Sequence, residues 1–369
     1  MCIRDSYDVK AGDTLLTVNV SANVAYQCSI VQEGNRIAQV QNKSAMETSS
    51  VRFQISANTD EQERTAVVKF TADNLAPTEI TIVQAGQTAG KELTLFQLNI
   101  WEECGHNSTD GYSAFQSLVD QIVALEPDFA TFCELYKNGD DMVMKKLVAA
   151  LKERGLTYYA ETGFGKGGGG ARGLLSKYPI EETELINSWM FKGVCNVDGK
   201  RIAIYPSHSN YVYYSCYYPR GYNDGGDLNE PSQLDWVEST KDMFEHNGCI
   251  VPWQTSLLLT ESGFIDAFRQ MYPDPATHPG LTWPVNNKGI PVSDLAWAAE
   301  ADERDRIDYI YYYPDSRFSL VDIKMVGPTG TIVRGERVAA DTQEPIIDQA
   351  GEHWPSDHRG LLMTIRWNE

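Results

Sequence analysis

Three pieces of this chain carry side chains suited to metal-assisted chemistry, and they lie far apart in sequence. Glu134 closes the apolar run Phe129-Ala130-Thr131-Phe132-Cys133. Asp227 and Asn229 follow the pair Gly225-Gly226, and Ser356-Asp357-His358 precedes the apolar run Leu361-Leu362-Met363. Carboxylate, amide and imidazole groups at such positions can hold a hard divalent cation and activate a water against a phosphate ester. A glutamate emerging from a buried strand costs little when a cation neutralises it, and magnesium takes one or two carboxylates while keeping several waters. A solvated strand-end glutamate would look the same. Asp227 and Asn229 stand two apart, so in an extended segment they share a face and can reach one ligand. Gly-Gly-Asp is also ordinary turn chemistry. Histidine titrates nearest neutrality, so His358 can serve as a general base or stabilise phosphorane charge.

The elements that must position these groups alternate between strand and helix. Residues 93–99 read as a strand, and Phe115, Leu118, Val119, Ile122 and Val123 mark one helix face at spacings of three and four. Pro127-Asp128 turns the chain into the buried strand 129–133, and a second amphipathic helix covers about 141–154. Further strands are expected at 173–176, 201–205, 307–312 and 361–365, which gives a layered α/β architecture with sheets packed together and helices outside. Gly165 to Gly170 is glycine-rich but lacks the spacing and trailing Lys-Ser/Thr of a phosphate loop, so it reads as a surface loop.

The first part of the chain differs. Short alternating segments at 14–20, 51–55, 64–71 and 78–83 are separated by turn formers such as Glu33-Gly34-Asn35 and Ala72-Asp73-Asn74. No helical period interrupts them, which predicts a small all-β sandwich over residues 1–86. Residues 87–92 form a short polar linker, and 93–369 form the α/β domain.

A length of 369 residues suggests two domains, and 42% apolar with 22% charged residues fits a globular protein. The formal charge of -20 repels a polyanion, which argues against duplex nucleic acid as a partner. The seven cysteines are scattered without a CxxC pair, so a thiolate zinc site is not expected and buried free thiols are. No run reaches the roughly 18 apolar residues of a membrane span. Met1 to Ser6 reads as a spurious opening without an apolar signal segment, with Tyr7 entering a domain already under way.

Seven motifs fall in an order that resembles the endonuclease/exonuclease/phosphatase superfamily across residues 93–368. They are Asn99-Ile100-Trp101, Phe132-Cys133-Glu134, the stretch Arg172 to Ile180, Ser207-His208-Ser209, the stretch Gly226 to Pro231, Arg306-Ile307-Asp308-Tyr309 and Ser356-Asp357-His358. The resemblance implies a four-layer α/β sandwich with its site at one end of two packed sheets. It also implies a Mg2+ cofactor (Mn2+ or Ca2+ as substitutes) and a small phosphoester or phospholipid headgroup as substrate. By the same resemblance Glu134 is the main metal ligand, with Asn99 beside it and Asp357 as a nearby metal-binding or orienting carboxylate. Asp227 would orient or deprotonate the attacking water, and Asn229 would hold a phosphate oxygen. His358 would be the base or phosphorane stabiliser, His208 a second imidazole at the phosphate or leaving oxygen, and Asp308 the carboxylate that orients a histidine. His208 also reads as a surface histidine among tyrosines. Arg172, Trp283 and Tyr309 are candidate wall residues that packing explains as well. The run Tyr211 to Tyr222 is rich in tyrosine, which fits ring stacking or a half-buried strand, and Arg220 within it could fork onto a phosphate.

Strand pattern from Arg64 to Val68 and from Glu79 to Gly86 resembles BACON domains, immunoglobulin-like modules of secreted Bacteroidetes enzymes. That resemblance implies export to the periplasm, cell surface or medium, and a glycan ligand or a plain spacer role. One feature departs from the superfamily. Only 19 positions separate His208 from Asp227, an interval in which the superfamily places a helix and a short apolar strand. A parallel crossover alone takes a dozen or more residues, and 219–226 contains no apolar run. Either a sheet strand is absent or a segment near 223–226 is lost, and the lost segment is the expected cause. The leading expectation is a metal-dependent phosphodiesterase or phosphatase. A binding protein with an inactive hydrolase-like domain is the alternative favoured by the short interval, and a nuclease sits badly with the acidic charge.

Overall fold

In a computed structural model, the structure describes residues 6–9, 14–20, 26–32, 37–41, 49–56, 58, 60, 62–86, 90–135, 142–164, 171–208, 216, 220, 231–298, 300–339, 343–348 and 353–367. The chain divides into two units. One comprises Met1–Lys91, Ser316–Ser319 and Arg366–Glu369, and the other Glu92–Asp315 and Leu320–Ile365.

Alternation of inward and outward side chains builds the first unit. Its strands are β1 (Ser6–Val9), β2 (Thr14–Val20), β3 (Gln27–Gln32), β4 (Ile37–Gln41), β5 (Ser49–Ile55), β6 (Arg64–Thr71) and β7 (Thr78–Gln84). They form one sheet in the order β1-β7-β6-β3 and another in the order β2-β5-β4. Val18, Val20, Val51, Phe53 and Ile55 from one sheet meet Ala66, Val68, Phe70, Ile80 and Ile82 from the other in a single apolar core. Each sheet thus buries one face against the other, as the two-residue period requires.

The second unit is organised by a seven-stranded sheet. Its strands β8 (Lys91–Asn99) and β9 (Phe129–Leu135) run parallel in the register Leu95 to Phe129 through Asn99 to Cys133. Helix α1 (Ala114–Leu125) supplies the crossover, and Ser113 caps it by accepting the Gln116 N–H. The strand β9 is buried along almost its whole length, as expected inside a parallel pair covered on both faces. Beyond it come helix α2 (Met142–Glu153) and strands β10 (Tyr159–Phe164), β11 (Ala171–Ser176), β12 (Ile180–Asn187), β13 (Met190–Val197) and β14 (Lys200–Ile204). The chain continues through helix α3 (Gln254–Glu261), strand β15 (Ile265–Asp266), helix α4 (Ala267–Met271) and strand β16 (Tyr311–Tyr312). The remaining strands are β17 (Phe318–Val326), β18 (Thr331–Val333), β19 (Glu336–Val338), β20 (Ile346–Ile347) and β21 (Gly360–Trp367).

The large sheet has the order β10-β11-β9-β8-β21-β17-β20, and β12-β13-β14 form a smaller antiparallel sheet. On one face of the large sheet, Leu118, Val119 and Ile122 of α1 and Leu147 and Leu151 of α2 pack on Phe96, Leu98, Ala130 and Phe132. On the other face, Ile323, Met325, Leu361 and Met363 meet Ala267 and Phe268 of α4. The smaller sheet approaches closely there: a Cβ at Gly193 would lie 2.3 Å from Leu174 Cδ2. The described residues therefore give helices, a large sheet and a second β layer, in a mixed, sheet-rich arrangement.

One expected element differs. The alternation at 307–312 predicts a strand, but only Tyr311 and Tyr312 pair as one, with Ile265 and Asp266. Before them a side-chain hydroxyl takes over the ladder's work: Thr282 Oγ1 accepts the N–H groups of Ile307 and Asp308 at 3.0 and 3.2 Å. Cys104, Cys133, Cys195 and Cys216 are buried free thiols, while Cys28 and Cys249 are half-buried. Among the described residues no helix is long and apolar enough to cross a membrane. The expected lost segment near 223–226, the spurious opening (except Ser6), residues 87–89 of the linker, the glycine-rich stretch and most of the tyrosine run lie outside the described residues.

Leu118 is fully buried between α1 and the sheet. Leu118→Ala should destabilise the second unit by about 2–5 kcal/mol, read from chemical denaturation. A loss below about 1 kcal/mol would contradict this packing.

Candidate active site

The parallel register sets the first two functional groups side by side. Asn99 ends β8 opposite Cys133, so its amide stands next to Glu134, one residue further along β9. Asn99 Nδ2 donates to Glu134 Oε1 at 2.9 Å. Glu134 adopts φ +59°, a left-handed conformation that costs a non-glycine residue about 1–2 kcal/mol. The chain after Asn99 does the same at Trp101, Glu102, Glu103 and Cys104, with φ of 48°, 50°, 64° and 56°. That bend turns backbone donors inward. Trp101 N–H donates to Asn99 Oδ1 and Glu102 N–H to Glu134 Oε2, both at 2.9 Å. Strain is thus spent on fixing one amide and one carboxylate.

The third group arrives from the far end of the sequence. Ser356 Oγ donates to the Asn99 carbonyl at 2.7 Å and accepts the His358 N–H at 3.0 Å, which pins this segment to the end of β8. Asn287 Nδ2 supports the same loop through the carbonyls of Trp354 and Ser356 at 2.9 and 3.0 Å. His358 Nδ1 lies 2.8 Å from Asp308 Oδ2. Assigning the proton to Nδ1, opposite the carboxylate, directs Nε2 towards Asn99 Nδ2 at 3.4 Å and Asp357 Oδ1 at 3.9 Å. Asp308 is held in turn by Gln97 Nε2 at 3.0 Å. Asp357 Oδ2 accepts from Trp283 Nε1 at 3.0 Å. His208 Nε2 stands 3.7 Å from Glu134 Oε1, and its backbone N–H donates to Trp189. Asn99, Glu134, His208, Asp308, Asp357 and His358 therefore share one largely buried locale, with Trp283 in its wall.

Charge in this locale is unbalanced. Burial opposes ionisation of His358, but the charges of Asp308 and Asp357 outweigh it and push the imidazole up to about 9. For Asp308 burial likewise works against the carboxylate, yet the His358 charge and the hydrogen bonds hold it below its ordinary value. Asp357 goes the other way: burial raises it, and Glu134 adds repulsion. Three carboxylates facing two imidazoles leave an excess of negative charge that a cation would relieve. Among the described residues no three acidic, imidazole or thiol groups form a complete metal shell. The donor set still suits a hard ion that keeps most of its waters, with Glu134, Asp357 and the second lone pair of Asn99 Oδ1 as oxygens.

The remaining expected residues fall elsewhere. Arg172 is buried beside Cys133, donates Nη2 to the Ser188 carbonyl at 2.8 Å, and is lowered by burial. Arg220 does not present a fork to a phosphate. It pairs with buried Asp305 at 2.9 Å and lies 5.5 Å from the Trp236 ring centroid, because a buried guanidinium takes the nearest carboxylate. Tyr309 donates its hydroxyl to the Arg306 carbonyl, and the Arg306 guanidinium covers its ring at 4.8 Å, a packing role. Asp227 and Asn229 lie outside the described residues. Sequence reasoning overlooked Gln97, Thr282 and Asn287, and read Ser356 only as part of its motif. Gln97, two residues before Asn99 on the same strand face, carried the only readable signal.

The raised His358 value fixes a sign. Its pairing with Asp308 contributes stability that is complete below the unfolded value of 6.5 and is lost as pH rises through about 9. In EDTA, His358→Gln should therefore cost more unfolding free energy near pH 6 than near pH 10. A cost that does not change with pH would contradict the pairing.

With this geometry in hand, comparison with known proteins places the chain. Residues 96–358 match the Endonuclease/Exonuclease/phosphatase family model, and residues 37–85 match the BACON domain. An uncharacterized protein of Caenorhabditis elegans is 40% identical over 88 residues, covering 24% of this chain and 26% of that protein. The chain thus matches about a quarter of that relative's length. Among solved structures, sphingomyelinase C of Streptomyces griseocarneus is similar at 15% identity and TM-score 0.38, over 74% of this chain and 99% of that one. Beta toxin of Staphylococcus aureus, a mutant with bound magnesium ions, is similar at 13% identity and TM-score 0.37, over 76% and 100%. The chain joins a BACON domain to a larger domain that belongs to the endonuclease/exonuclease/phosphatase family.

Proposed function

We propose that the larger domain hydrolyses phosphoesters with the help of a bound divalent cation, magnesium first, with manganese or calcium as substitutes. The observation that carries this reading is the Asp308–His358 bond at 2.8 Å, with the other imidazole nitrogen turned into the locale that holds Glu134, Asn99 and Asp357. Those three residues would hold the cation, which supplies charge neutralisation at the phosphoryl oxygens and a more acidic water. Asp308 locks the orientation of His358, so its Nε2 can donate to a phosphoryl oxygen while protonated and take a proton from water once it has lost its own. His208, beside Glu134, stands as the second imidazole for the leaving oxygen. Asp227 and Asn229 are proposed to orient the water and hold a phosphate oxygen. Family membership and the buried acid–imidazole set support this assignment.

The net charge of -20 favours a small phosphoester or lipid headgroup over duplex nucleic acid. The BACON domain supports an exported protein with a glycan ligand at its first unit. A second reading, phospholigand binding without turnover, draws on the short offset of 19 positions from His208 to Asp227.

Hydrolysis of bis(p-nitrophenyl) phosphate should be abolished by EDTA and restored by Mg2+. Glu134→Gln and His358→Ala should each lower kcat/KM by roughly 10²–10⁴-fold. Turnover that persists in EDTA would contradict the proposal, and binding of phosphate monoesters without turnover would favour the second reading.

A further inference from the structure

An aromatic pair leads outward from the proposed site. Trp283 is 4% exposed, donates to Asp357, and has its ring centroid 6.3 Å from that of His358. Trp297 meets Trp283 at 5.6 Å with the planes inclined by 63°, yet it is 61% exposed. A singly exposed apolar side chain is ordinary and carries nothing by itself. The backbone beneath this one makes the difference. Glu303, only 1% exposed, accepts the Trp297 N–H at 2.9 Å through one carboxylate oxygen and the Ala298 N–H at 3.1 Å through the other. Burying a carboxylate is expensive unless its bonds are needed. Just upstream, buried Leu295 packs with Ile290 and Ile332, so the segment is anchored before the indole as well. The backbone that carries this largely exposed indole is therefore anchored, two ring contacts from His358.

This placement matters for substrate selection. The phosphoryl group belongs at the acid–imidazole cluster, so an ester substituent on phosphorus must extend along a neighbouring wall. Trp297, packed edge-on against buried Trp283, presents an exposed flat indole there, a surface suited to a ring. Resting on the phosphoester reading, we propose that Trp297 is a specificity-determining residue that stacks on an aromatic ester group of the substrate. Such a contact adds preference without touching the reacting atoms, and a pre-positioned indole loses little entropy when it forms.

The test is calorimetric titration of the full Mg2+-loaded chain with phenyl, butyl and methyl phosphate. Wild type should bind phenyl phosphate roughly five- to tenfold more tightly than methyl phosphate. Trp297→Ala should erase that difference, and Trp297→Phe should keep most of it. With bis(p-nitrophenyl) phosphate, Trp297→Ala should raise KM and leave kcat within about twofold, since a remote contact acts on binding. An unchanged phenyl preference in Trp297→Ala, or butyl phosphate binding as well as phenyl phosphate, would overturn the proposal. Binding is read separately from turnover, so a chain that selects the ring without hydrolysing it would sink the hydrolase reading and leave this one standing.

Discussion

The buried bond between Asp308 and His358 is the constraint on which the rest of the site depends. A carboxylate and an imidazolium withdrawn from water cost several kcal/mol each unless close geometry and further hydrogen bonds compensate. Here the compensation comes from hydrogen bonds of the Gln97 and Thr282 side chains to the acid, and from the charges of Asp357 and Glu134 around the base. Asp308 lies on an irregular segment, so something other than a strand must hold it. Two residues earlier, Arg306 reaches Asp235 at 2.9 Å and Asp266 at 2.7 Å, with its own side chain almost wholly buried. Asp266 also caps α4 by accepting the N–H groups of Phe268 and Arg269. The imidazole is thus oriented by an acid whose backbone is anchored through an ion-pair network.

The second requirement is that polar side chains at strand ends meet. The parallel pairing of β8 with β9 accomplishes this for Asn99 and Glu134, and a run of left-handed residues supplies the amides that fix both. Backbone strain of this kind persists only where packing over-determines it. The sheet beneath is such a setting: Phe96, Leu98, Ala130 and Phe132 are buried under two helices. Core packing therefore secures the geometry of the chemistry above it.

How much of this was readable beforehand follows from which forces are local. Glu134 stood out because a polar residue ending an apolar run marks where a strand surfaces, whereas Asn99 was named through the family resemblance. His358 was singled out by its residue type and motif, Asp308 was named through the family resemblance, and the two meet as a carboxylate–imidazole pair. The strand expected at 307–312 shrank to Tyr311 and Tyr312 because a threonine hydroxyl distant in sequence took its backbone donors, and alternation cannot reveal that. Arg220 and Arg306 look alike in sequence. Only their folded neighbours show that both serve buried aspartates. Trp297 has no local signature either, since its interest lies in Trp283 below it and Glu303 behind it.

The most direct test of the account is anomalous diffraction from crystals soaked in Mn2+. The account predicts a peak about 2.1 Å from a Glu134 carboxylate oxygen, within reach of Asn99 and Asp357, with His358 still bonded to Asp308. A chain that binds Mn2+ elsewhere, or shows no peak beside Glu134 at saturating metal, would contradict it.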